Sequence, residues 1–132
     1  MKRMVSILLL FMALIGVAAA QAQSKEAAGQ CHPDVIGVKV TPRGANKFDF
    51  DVTISSRYDT PRRYADAFRV MDAGGKVYGE RILLHDHADE QPFTRDLHGV
   101  AIPPGVRKVV VQGRDKQFGY GGRTVETALP GR

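Results

Sequence analysis

Tryptophan is absent from this chain, and cysteine occurs once, at Cys31. A single thiol excludes an intrachain disulfide even in an oxidising compartment, so the fold has to stand on its hydrophobic core. The missing tryptophan and cysteine pair also exclude the disulfide-and-tryptophan core of antibody domains. Dense basic runs are lacking too. Basic residues are scattered singly apart from Arg62-Arg63, Arg107-Lys108 and the Lys2-Arg3 pair at the start. That distribution argues against nucleic acid as a partner. No Ser-His-Asp order and no Gly-x-Ser-x-Gly elbow occurs, and the glycines of Gly119-Tyr120-Gly121-Gly122 precede no helix able to cradle phosphate. The expectation is a protein that is not an enzyme.

The chain opens MKRMVSILLLFMALIGVAAAQAQ. Lys2 and Arg3 give a basic start, Met4 to Val17 an apolar run short for a membrane span, and Ala20 and Ala22 end two Ala-x-Ala sites. This pattern describes a secretory signal peptide over 1–22, cleaved before a flexible segment 23–34; an uncleaved N-terminal anchor is the alternative. A lipid anchor on Cys31 is disfavoured by Gln30 before it and by the distance from the apolar run. The expected address is the periplasm or the extracellular space, with no membrane span after cleavage. Of 19 basic side chains, losing Lys2 and Arg3 leaves a surplus of three over the 14 acidic ones. About 110 residues then remain, enough for one domain with one core.

Regular pattern starts at Val35 and fills 35–130. Ile36, Val38 and Val40 alternate with Gly37, Lys39 and Thr41. Phe48, Phe50, Val52 and Ile54 alternate more strictly with Asp49, Asp51, Thr53 and Ser55. Period two is the mark of a half-buried strand. Pro42-Arg43-Gly44 offers a turn between these segments, and pairing would set Lys39 opposite Asp49 or Asp51. Tyr64 to Met71 and Val77 to Leu84 flank the hairpin signal Asp72-Ala73-Gly74-Gly75-Lys76, with Phe68 and Val70 facing inward. Phe93 to Ile102, Val106 to Arg114 and Arg123 to Leu129 complete seven strands, separated by Pro103-Pro104-Gly105 and a flexible Gly119–Gly122 turn. The expected fold is all-β: a single antiparallel immunoglobulin/fibronectin-like sandwich, with a small closed barrel as the competing topology.

The richest chemical stretch is Leu83 to Arg95, LLHDHADEQPFTR. On an extended strand His85 and His87 leave the same face about 6.5–7 Å apart, close enough to lean toward one copper or zinc ion. The plainer reading is a polar loop between strands. Cys31-His32 is a second pair, in which a neighbouring imidazole can favour the thiolate, although adjacent residues of an extended chain point opposite ways. Cys31 is then a possible thiol contact to a partner or a second copy. Cys31, His32, His85 and His87 would form a four-ligand set only if the N-terminal segment folded over the loop. His98 could lie on a neighbouring strand, and Glu90 and Tyr120 mark possible binding loops.

The run EQPFTRDLHGVAIPPGVRKVVVQGRDKQFGYGG, Glu90 to Gly122, resembles a family of small exported bacterial β-sandwich proteins of uncharacterised function. The resemblance implies export and a β fold and assigns no activity. Together these readings lead to an exported, non-enzymatic binding or interaction module, meeting another envelope protein or a small ligand through its loops or a sheet edge and carrying no cofactor. The alternative is a periplasmic copper- or zinc-binding protein using His85 and His87.

Overall fold

Phe48, Phe50, Val52 and Ile54 are buried along one side of a single strand, and their burial organises the molecule. The computed structural model describes residues 29–132; the expected leader and residues 23–28 lie outside the described residues. Seven strands follow in order: β1 (Asp34–Gly44), β2 (Lys47–Ser55), β3 (Ala65–Met71), β4 (Val77–Ile82), β5 (Phe93–Ala101), β6 (Lys108–Asp115) and β7 (Gly119–Ala128). They form a three-stranded sheet, β1-β2-β5, and a four-stranded sheet, β4-β3-β6-β7, with every pairing antiparallel. The two sheets are separate, so the architecture is the sandwich and not the closed barrel. Hairpins join β1 to β2, β3 to β4 and β6 to β7, while the other three connections switch sheets, a Greek-key arrangement.

Between the sheets lie Phe50, Phe68, Phe93, Val70, Val109, Val111 and Ile102, all essentially without solvent exposure. Each such side chain contributes about 1.5–3 kcal/mol of transfer free energy, which replaces what a disulfide would supply. Phe68 and Val70 face inward, and Lys39 stands opposite Asp51, as the alternation predicts.

Three local expectations are corrected. The first hairpin does not turn at Pro42-Arg43-Gly44; the strand continues through Gly44 and reverses at Ala45 and Asn46, both at positive φ (53° and 60°). That is the two-residue turn whose twist suits a hairpin. Ile36 is not a core residue: a register shift between Val35 and Gly37 turns Val35 inward and leaves Ile36 40% exposed. The Gly119–Gly122 stretch is no flexible turn but the first part of β7, and the reversal falls on residues 116–118.

At one end of the sandwich Arg132 gathers the connections. Its guanidinium donates to the carbonyls of Ile102 (2.7 Å), Val106 (2.8 Å) and Pro103 and to Asn46 Oδ1 (3.0 Å), and it lies 4.9 Å from the centre of the Phe48 ring. On the outer face of the three-stranded sheet, His98 is held between Asp49 (3.1 Å) and Asp96 (2.8 Å). Asp49 raises the His98 pKa most, and Asp96 adds to it.

Ala45→Asn is expected to stabilise the fold by about 0.5–1 kcal/mol, because asparagine tolerates the left-handed conformation better than alanine. Thermal melts should show a rise of a few degrees, and an unchanged or lower midpoint would contradict the turn assignment. The raised His98 pKa carries a definite sign: its contribution is complete below about pH 6.5 and is lost as pH rises through the folded-state value. The melting advantage of the wild type over His98→Asn should therefore shrink as pH increases from 6 to 8. Parallel pH profiles for the two proteins would rule the linkage out.

Candidate functional site

The other end of the sandwich collects residues 29–33 and the connections 56–64, 83–92 and 116–118, because β2, β4 and β6 finish there and β1, β3, β5 and β7 begin there. All four of the polar residues buried among the described residues, Ser56, Asp59, His87 and Asp115, belong to this end. Polar groups shut away from water have to be satisfied internally, and the way they are satisfied sets the loop geometry.

Asp59 is the tie between two connections. Its carboxylate accepts the Ala65 backbone N–H (3.1 Å) and the His87 backbone N–H (3.0 Å), joining the start of β3 to the middle of the 83–92 loop. Burial pushes its pKa up, and those N–H groups pull the other way. Gln91 adds a second tie, accepting from the Ser56 N–H (2.8 Å) and donating to the His87 carbonyl (3.0 Å). The His87 ring, 6% exposed, stacks on Phe93 at 3.9 Å and 10°. Burial, then Arg95, then His85 lower its pKa, which favours the neutral imidazole. His87 Nδ1 is buried without a hydrogen-bond partner.

His85 lies beside it, ring centroids 4.9 Å apart and tilted by 37°, with its own Nδ1 2.9 Å from the Asp86 carbonyl. The loop therefore brings the two histidines together. It recruits no further ligands: among the described residues no three His, Cys, Asp or Glu side chains surround a common point. Glu90 is engaged with Arg95 (3.1 Å), a bond that holds its pKa below the usual carboxylate range. His98 is in β5 with Asp49 and Asp96, away from the pair.

The N-terminal segment does not fold over this loop. It lies across β6 and β7, and residues 30–33 are fixed there, in contrast to the flexible lead-in expected up to residue 34. Gln30 Nε2 donates to the Ser55 carbonyl (3.0 Å), and Arg63 donates to the carbonyls of Gln30 (3.0 Å) and Cys31 (2.8 Å). The Cys31 side chain is exposed. Arg63 in turn stacks 4.2 Å over Tyr58 and 5.0 Å from Phe118 and pairs with the buried Asp115 at 3.2 Å. Burial opposes the Asp115 charge. Tyr58, the Phe118 and Gln117 backbone N–H groups and Arg63 outweigh it, leaving the pKa lowered.

The glycines of the GYGG run now have a structural reason. A methyl on Gly121 would come within 2.5 Å of the His32 ring, and one on Gly122, at φ +76°, would land on the Pro33 carbonyl. These positions are bare so that the segment can lie flat. Tyr120 is not a loop contact but part of the outer face of the four-stranded sheet. Arg69 stacks 3.8 Å over its ring and its hydroxyl bonds Glu80; burial first and Glu80 second raise its pKa. Arg114 completes that face, paired with Asp66 at 2.8 Å.

Sequence reasoning passed over Tyr58, Asp59 and Arg63, and it reads Asp115, with Arg114 and Arg123, as one of a set of solvated charge pairs, whereas Asp115 is buried and pairs with Arg63. The available signals were Asp59-Thr60-Pro61 and Asp115-Lys116-Gln117, acids placed where a turn needs a side-chain acceptor. It also passed over Leu84 and Phe118, large apolar side chains 83% and 52% exposed on two of these loops.

A curated protein of Halomicrobium mukohataei that carries the name "Putative lipoprotein" is 36% identical to this chain over 92 residues, 70% of this chain and 45% of the relative. The chain thus spans less than half the length of that relative. No protein-family model matches the sequence. No solved structure matches it either. Among the described residues no helix is long and apolar enough to cross a membrane.

Gly122→Ala is expected to destabilise the domain by about 2–4 kcal/mol, combining left-handed strain with a clash against backbone. Gly121→Ala should cost less, since the His32 ring can turn away. Urea denaturation measures both, and equal, negligible losses would mean that the segment is not seated on β7.

Proposed function

We propose that the protein is an exported, non-enzymatic interaction module of the cell envelope, and that it meets a partner protein through the loop end built around Asp59 and Asp115. The observation that carries this reading is the contrast at that end between braced loops and bare apolar tips. Leu84 and Phe118 project into solvent from connections whose backbones are tied by Asp59, Gln91, Arg63 and Asp115. Apolar anchors held on a preorganised frame lose little conformational entropy on binding, the property that makes a contact residue strong. Single exposed apolar residues are ordinary on protein surfaces; two on the same end, beside buried polar supports, are what favour this face.

Export rests on the leader pattern of residues 1–22, and the name of the 36% identical relative agrees with an envelope address. The reading includes no lipid on Cys31 and no resident cofactor. Catalysis is not part of it, because the buried acids Asp59 and Asp115 are consumed in holding backbone and Arg63.

Photo-crosslinking in the native host tests it. A benzoylphenylalanine placed at Leu84 or at Phe118 should give a discrete adduct with one envelope protein, and the same probe at Val77, at the opposite end, should not. Identical adduct patterns from all three positions would refute the assignment of this face. A mature protein whose mass still includes residues 1–22 would refute export by signal cleavage.

A further inference from the structure

The 83–92 loop holds two imidazoles in an arrangement that the interaction reading leaves unused. Two histidines on one ion, each nitrogen about 2.0–2.1 Å from it, place their ring centroids about 4.5 Å apart at a right-angled nitrogen–metal–nitrogen geometry and about 5.2 Å at a tetrahedral one. The observed separation of His85 and His87 is 4.9 Å. Linear coordination, the two-ligand geometry of copper(I), would need about 6.4 Å with the same bond lengths and is excluded by the distance.

The hydrogen bonds around the pair point the same way. The Asp86 carbonyl, 2.9 Å from His85 Nδ1, takes a proton there and leaves the Nε2 lone pair free, the role that carbonyls play behind metal-bound histidines. His87 is more than nine-tenths buried, and its Nδ1 has no partner at all. A buried ring nitrogen left without a partner is an energetic liability that a bound cation would remove. The ring is also clamped, by the Phe93 stack on its face and by Asp59 on its backbone, so little ordering remains for a metal to impose.

We infer that His85 and His87 form an open two-imidazole site for a divalent transition metal, with His85 Nε2 and His87 Nδ1 as the protein donors and the remaining positions left to water or to a donor from a partner. The absence of a third side chain among the described residues makes the site exchangeable and not a structural centre. Bent nitrogen donors with open positions suit copper(II) first and zinc(II) second, following the general affinity order of these ions. The inference does not depend on the interaction function proposed above, since it concerns the rings and not the apolar tips.

The test is titration of the untagged, chelator-treated protein with copper(II) chloride and separately with zinc chloride, followed by calorimetry and, for copper, by electron paramagnetic resonance. One copper(II) per chain with hyperfine structure from two imidazole nitrogens is expected, with zinc bound more weakly. His85→Asn should lower copper affinity at least tenfold, and His98→Asn should leave it unchanged. His85 is exposed, so its replacement is expected to leave the circular dichroism spectrum unaltered even if His87→Asn fails to fold. Undiminished affinity in His85→Asn, or a spectrum from amino-terminal amide nitrogens that both variants share, would overturn the proposal.

Discussion

Two carboxylates enclosed at one end of the sandwich, Asp59 and Asp115, set the terms for everything near them. A buried acid without water must find donors in the chain, and each of these finds them in separate segments. Asp59 joins the start of β3 to the 83–92 loop. Asp115 joins the 116–118 turn to Arg63, and Arg63 in turn holds residues 30 and 31. The connections at this end are therefore components of one hydrogen-bonded assembly. Removing either acid would leave several N–H groups or a guanidinium without partners, the costly kind of polar loss.

The opposite end is closed by different means. There a single guanidinium, that of Arg132, donates to three backbone carbonyls and to the Asn46 side-chain amide. One end is thus organised by buried negative charge and the other by a partly exposed positive one. Leu84 and Phe118, the two most exposed large apolar side chains among the described residues, both project from the first end, and they single it out as the contact face.

The strands were legible where their physics is local. Alternation in residues 47–55 reproduces β2 to the residue, and the glycine pair at 74–75 marks its hairpin correctly. Turn chemistry misled where a tertiary contact dominated. The glycines of GYGG look like a turn because glycine is free to turn, yet they are required by the Pro33 and His32 atoms that a side chain would strike. Ile36 looked inward because alternation assumes an unbroken strand, and the register shift at Gly37 breaks it. The proximity of His85 and His87 could be anticipated from their spacing. The burial of one ring and the exposure of the other could not, since that depends on Phe93 and Asp59, six residues downstream of His87 and twenty-eight upstream of it.

Irregular pairing marks all four strands at the sheet margins. β1 slips at Val35/Gly37 and again at Pro42/Gly44, β4 slips opposite Val70/Met71, β5 opposite Phe48/Phe50 and β7 opposite Val111/Gly113. An unpaired border invites another chain to add itself as the next ribbon, and a kinked border spoils the template for that addition. A protein rich in valine and phenylalanine strands, with no covalent cross-link inside it, can in this way remain at high local concentration without seeding fibrils.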